Sequence, residues 1–212
     1  MKSRLRRAAW VGLAVFLQSA WPGPVAAQSR DPVGGFVGDL HLLTVSLPSA
    51  AGWTPASLPP GSLVPGRGFG GEIAAHVLFG PGRHRRVGLG ASGLVGQGRA
   101  TGTDGAPTVT TKVSFIAPHV SVNFGHRLGW SYLSGGAGLA KVSSQAAGGA
   151  PDPGGWDTAF HYGGGARWFV TERIAVSLDL RFWALTPRPA AGDRPSAPAS
   201  TRVAFGAGLS LR

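Results

Sequence analysis

The chain has 212 residues, no cysteine, 43% hydrophobic residues, only 14% charged residues and 35 glycines. The lack of cysteine excludes a disulfide framework, a thiolate metal centre, a cysteine nucleophile and lipidation at an N-terminal cysteine. The formal charge is +11, but Lys2, Arg4, Arg6 and Arg7 account for part of it, leaving about +7 beyond the leader; with no basic helix and no recognition motif, this charge does not make a nucleic-acid interface.

Residues 1–27 have the three parts of a secretory signal: Arg4, Arg6 and Arg7, then the apolar run 8–21, then Val25-Ala26-Ala27 at the expected cleavage position. The apolar run is shorter than the roughly 18–20 residues of a membrane-spanning helix, and Pro22-Gly23-Pro24 ends it. The expected organisation is a signal peptide at 1–27 and one β-barrel domain at 28–212.

Beyond the leader the signal is period-two alternation, which marks strands with one apolar and one polar face. The first strand is predicted at 33–46, with Leu40 and Leu42 opposite Asp39 and His41, and its pattern blurs after Leu43. A Pro- and Gly-rich loop covers 47–66. The second strand, 67–79, sets Phe69, Ile73, Val77 and Phe79 against Glu72 and His76. A basic turn at 80–86 leads to the third strand at 87–98, where Val87, Leu89 and Val95 alternate with Gly88, Gly90, Ser92 and Gly96. After a loop at 99–108 comes a fourth strand at 109–124, with Ile116, Pro118, Val120, Val122 and Phe124 opposite His119, Ser121 and Asn123. Pro118 argues against that strand or marks a bulge. The fifth strand, 128–143, is read with Leu128, Trp130 and Tyr132 on its apolar face and Ser131 and Lys141 on its polar one. A loop follows at 145–155.

The clearest stretch is 156–185. Phe160, Tyr162, Ala166, Trp168 and Val170 share a face; a tight turn at Thr171-Glu172-Arg173 follows; then Ile174, Val176, Leu178, Leu180 and Phe182 alternate with Ser177, Asp179, Arg181 and Trp183. A loop at 186–200 precedes the last strand at 202–212. Eight strands in up-and-down order result, with long and short connections in strict alternation. All short turns then fall at one end and all long loops at the other, the asymmetry of outer-membrane barrels.

Alternation does not say which face points outward. A soluble barrel of the lipocalin kind buries the apolar face, whereas a membrane barrel inverts it. Inversion is favoured by single mid-strand charges of both signs, Asp39, Glu72, Arg167, Asp179 and Arg181, opposite faces nearly free of charge. Phe79, Phe124, Trp130 and Trp168 beside the short turns suggest an aromatic girdle.

The stretch from Gly163 to Trp183, GGGARWFVTERIAVSLDLRFW, resembles the closing hairpins of the OmpA-like small outer-membrane β-barrel domains. The resemblance implies an all-β, eight-stranded antiparallel transmembrane barrel in the outer membrane of a Gram-negative bacterium. It also implies insertion by the barrel-assembly machinery. The expected partners are the lipid bilayer and lipopolysaccharide, with no nucleic acid, and the expected state is a monomer. The family's last strand usually ends in an aromatic residue; here it ends Leu211-Arg212.

Of candidate chemistry, Asp39, Glu72, Lys141, Arg167, Asp179 and Arg181 are expected to form a lumen charge network. It is read as static packing of a narrow barrel, with a gated pore as the alternative. Arg83, Arg85 and Arg86 are expected in a periplasmic basic turn facing solvent or anionic head groups. His119 and Ser121, two apart on one strand face, are the only hint of a lipid hydrolase, and polar lumen lining is the preferred reading. The six histidines show no ligand spacing, and no metal, cofactor or phosphate motif appears. The predicted role is structural or interaction-type, not enzymatic. A soluble secreted ligand-binding barrel is the further alternative.

Overall fold

The computed structural model describes residues 35–49, 52–53, 58–80, 84–103, 105–126, 128–149, 154–190 and 195–212. The proposed signal segment and Arg83 lie outside these residues. Eight strands form the described chain: β1 (Phe36–Ser46), β2 (Arg67–Phe79), β3 (Arg85–Ala100), β4 (Val109–His126), β5 (Gly129–Ala146), β6 (Trp156–Phe169), β7 (Ile174–Leu185) and β8 (Ser200–Leu211). Each pairs antiparallel with its neighbour in sequence, and β8 closes on β1 through the register Leu42↔Ala207. Closure leaves no unpaired sheet edge.

The short turns β2–β3, β4–β5 and β6–β7 lie at one end, and the four long connections at the other. Thr171 shows why the β6–β7 turn is tight: its Oγ1 accepts hydrogen bonds from the backbone N–H groups of Arg173 (3.2 Å) and Ile174 (3.0 Å). At the β4–β5 turn Gly125 takes a φ of 145°, where a side chain would be strained.

Pro118 sits within unbroken β4, exposed on the outer face. The ladder to β5 skips Ala117 and Pro118 and resumes in the same register at His119↔Gly136, so the missing N–H costs ladder contacts but introduces no bulge.

The parity of β5 is the reverse of the sequence expectation. Trp130 and Tyr132 are each 1% exposed and point into the lumen, whereas Leu133 is 63% exposed and shares the outer face with Ser131, Leu139 and Lys141. The register explains it: Trp130 lies opposite Arg167, whose guanidinium is fully buried in the lumen. Both rings are amphipathic and fill the lumen beside polar groups, so apolarity alone misassigns them. Trp130 therefore leaves the expected girdle, while Phe79, Phe124 and Trp168 remain exposed on the outer face.

Candidate functional site

The lumen is built in three layers. At the short-turn end Val37, Leu78 and Trp130 form an apolar plug with Phe169 packed against it. The Arg212 guanidinium lies 4.4 Å from the Phe169 ring centre and 5.4 Å from that of Trp130. At the long-loop end a larger apolar cluster includes Leu43, Val45, Leu47, Leu94, Val113, Phe115 and Trp183. Phe115 and Trp183 stack at 4.5 Å. This cluster accounts for the blurred pattern after Leu43: Leu43 and Val45 keep the inward parity of Asp39 and His41 but enter an apolar layer.

Two long connections complete the upper plug. Trp53 from the β1–β2 loop is buried and donates its indole N–H to the Pro198 carbonyl (2.9 Å). Arg188 pairs with Asp157 (2.8 Å), donates to the Gly52 carbonyl (2.9 Å) and lies 5.1 Å from the Trp53 ring centre. Arg188 and Ala197 also form a β-bridge across the β7–β8 loop.

Between the plugs lies the polar layer. Arg167 clamps Asp39 with two bonds, Nε to Oδ1 (2.8 Å) and Nη2 to Oδ2 (2.7 Å). Such a fork is the strongest geometry available to a buried ion pair. Ser210 also donates to Asp39, and His76 Nε2 is 3.2 Å from its Oδ2. Arg167 stacks 4.0 Å over the Tyr132 ring, and the Tyr132 hydroxyl donates to Asp179. Arg181 pairs with Asp179 (3.0 Å) and Glu72 (3.0 Å) and donates to Ser92 Oγ (2.9 Å). His41 shares a hydrogen bond with Ser177 (2.9 Å) and stands 3.7 Å from Glu72.

The structure thus brings Asp39, Glu72, Arg167, Asp179 and Arg181 together, each nearly or fully buried. Lys141 is not among them. It sits on the outer face of β5, half-buried and opposite Trp156 of β6, because the inverted parity carries its side chain away from the lumen. Gly135 lies on that same outer parity. Gly88, Gly90, Gly96, Gly163 and Gly165 do face inward, but their space is taken: a Cβ on Gly165 would meet the Tyr132 ring at 2.8 Å, and one on Gly88 would meet Ser121 Oγ at 2.5 Å.

Sequence spacing hid one feature. His41, His76, His119 and His161, on four different strands, converge in this layer and are all buried. His76 Nδ1 and His119 Nε2 share a 3.1 Å hydrogen bond; the His119 and His161 rings meet edge to face at 5.4 Å. Their common inward parity was the available signal. No group of three or more His, Asp or Glu among the described residues is arranged to hold a metal ion.

His119 and Ser121 are not joined as a nucleophile and base. Ser121 accepts a bond from Asn123 (2.9 Å), and His119 turns to His76 instead. Of the basic turn, Arg85 and Arg86 are the first residues of β3, opposite Phe124 and Asn123; Arg85 is exposed and Arg86 half-buried.

The outer surface is the converse of the lumen. Leu40, Leu42, Phe69, Ile73, Val95, Ile116, Leu133 and Leu178 are all exposed, in a belt that runs round the barrel. A notch of about 790 Å³ interrupts it where Gly164 and Ala166 leave room between Leu133, Leu180, Tyr162 and Trp168.

The sequence matches no protein-family model and no curated protein. Among solved structures it is similar to Neisserial surface protein A, at 13% identity and a TM-score of 0.59, over 84% of this chain and 97% of that one. The chain has the fold of the small outer-membrane β-barrels. Lower similarity extends to Ail, the attachment invasion locus protein of Yersinia pestis (11% identity, TM-score 0.49, 83% of this chain and 97% of that one). The outer membrane protease OmpT from Escherichia coli also matches (10% identity, TM-score 0.42, 86% and 98%).

Proposed function

We propose that this chain is an integral outer-membrane β-barrel protein of a Gram-negative bacterium, monomeric, with a filled lumen and a structural or interaction role. The single observation that carries the reading is the inversion of polarity: bulky apolar side chains face outward round the barrel, and ionised pairs are buried inside. In water such an outer belt would far exceed the few hundred Å² of contiguous apolar patch that soluble monomers tolerate. A bilayer removes that cost, and the closed sheet satisfies the backbone within it.

Residues 1–27 would direct export, the OmpA-like hairpin at Gly163–Trp183 would mark the family, and the barrel-assembly machinery would insert the chain with its short turns in the periplasm. Bilayer lipid and lipopolysaccharide would be its surroundings. The test is detergent dependence together with heat-modifiable gel mobility. The refolded protein should require detergent and should migrate differently before and after boiling; a monomer stable in plain buffer would instead establish the soluble barrel.

A pore and an enzyme are both disfavoured by specific contacts. Apolar plugs close the polar layer from either end, so planar-bilayer recordings should show no steady conductance from the native protein. Ser121 and His119 bond to other partners within that closed layer, and Ser121→Ala should leave any lipid turnover by the preparation unchanged.

A further inference from the structure

Among the described residues, the outward-facing cations at the long-loop end lie on one side of the barrel; Arg188 and Arg202, on the other side, turn inward to Asp157 and to the Leu47 carbonyl. Arg67 on β2, Arg99 on β3, Lys112 on β4 and Lys141 on β5 all take the outer parity. The first three are exposed and Lys141 is half-exposed. The registers Arg99↔Thr110, Gln97↔Lys112, Lys112↔Ser143 and Ser114↔Lys141 place them at one level on adjacent strands. Across three strand spacings the row is roughly 14 Å wide. Gln97, Thr110, Ser114 and Ser143 lie between the cations and add hydrogen-bonding groups.

Directly below stands the apolar belt, here Phe69, Val95, Ile116 and Leu139, all exposed. Trp156, cross-strand from Lys141 and 53% exposed, is an amphipathic side chain suited to the water–lipid boundary. No described carboxylate shares this outward surface: Asp157 points inward to Arg188, and Glu172 is in a short turn at the other end. At the same level β6, β7, β8 and β1 present Thr158, Ala184, Thr201 and Ser46, with no charge. The four cations have no hydrogen-bond or ion-pair partner among the described residues.

We propose that Arg67, Arg99, Lys112 and Lys141 form a binding site for the phosphorylated saccharide head group of lipopolysaccharide, whose acyl chains lie on the apolar belt beneath. The proposal rests on the membrane reading above, which puts the long-loop end in the outer leaflet. Charge complementarity selects the ligand. A cluster of unpaired cations immediately above lipid-facing apolar residues matches phosphates immediately above acyl chains. Its width suits a head group bearing two separated phosphates better than a single phosphodiester.

The experiment uses the refolded chain in zwitterionic nanodiscs, titrated with bis-phosphorylated lipid A, dephosphorylated lipid A and phosphatidylglycerol, and read by native mass spectrometry. The quadruple variant R67Q/R99Q/K112Q/K141Q should lose about tenfold or more of its lipid A affinity. R85Q/R173Q, which removes charge at the opposite end, should stay within about twofold of the native protein. Dephosphorylated lipid A should bind the native protein as weakly as lipid A binds the quadruple variant. Unchanged binding by the quadruple variant, equal loss in R85Q/R173Q, or indifference to the phosphates would overturn the site. Phosphatidylglycerol binding as tightly as lipid A would reduce it to a general anionic-lipid surface and overturn the assignment to lipopolysaccharide. Heat-modifiable mobility of each variant reports insertion separately: loss of binding with mobility kept supports the site, whereas a native chain that never needs detergent sinks the membrane reading instead. Should the quadruple variant fail to refold, K112Q and K141Q alone each lower lipid A affinity measurably, and no change in either counts against the site.

Discussion

At the scale of single residues, the lumen holds charges that would be costly anywhere else in a chain proposed to span a membrane. Asp39 is the most heavily engaged, receiving two bonds from Arg167, one from Ser210 and a contact from His76. Taking away one partner strands the other in a site it cannot leave. Asp39→Ala should therefore destabilise the barrel by about 3–5 kcal/mol, measured as the shift in urea-unfolding free energy of the protein in lipid vesicles. Asp39→Ala with Arg167→Met should recover a large part of that loss, because the stranded charge is then gone as well. Tyr132→Phe is a milder probe: it removes the hydroxyl that donates to Asp179 but keeps the ring under Arg167, and should cost about 1–3 kcal/mol. Asp39, Glu72, Arg167, Asp179 and Arg181 were legible in the sequence because each is a lone charge at mid-strand on a polar parity. Their pairing was not: Asp39 and Arg167 are 128 residues apart and meet only once the barrel closes. The histidine cluster escaped for the same reason, since its four members sit on four strands.

At the scale of elements, alternation located all eight strands and their connections because each strand has one face of nearly uniform character. It misjudged β5, whose inward residues Trp130 and Tyr132 look as apolar as its outward Leu133 and Leu139. It also blurred along β1, where the inward face changes from charged to aliphatic at Leu43. Cross-strand register resolves both, and register follows from turn length and closure, which periodicity does not contain. Two substitutions on β4 separate the proposed environments. Val120 faces outward from the belt, so Val120→Arg should cost about 2–4 kcal/mol in vesicle unfolding if that face meets lipid; Lys112→Ala, near the boundary, should fall within about 1 kcal/mol of the native protein. In a soluble barrel the Val120 change would be close to neutral.

At the scale of the whole molecule, the barrel has a middle layer of buried, largely paired polar side chains between two apolar plugs, a belt of bulky apolar residues outside, and a one-sided row of outward cations near its long loops. The upper plug draws in Trp53 and the β7–β8 loop, so two of the four long connections serve closure of the barrel. A lumen closed by apolar plugs at both ends points to function at the outer surface, where the apolar belt and the cation row lie. The most direct test of the inverted arrangement is a spin-label scan along β7, from Leu178 to Phe182, in reconstituted vesicles. Labels at Leu178, Leu180 and Phe182 should be accessible to membrane-dissolved oxygen and shielded from a water-soluble nickel chelate, while labels at Asp179 and Arg181, where the chain still folds, should be shielded from both. Ready access of the nickel chelate to Leu178 and Leu180 would contradict the account.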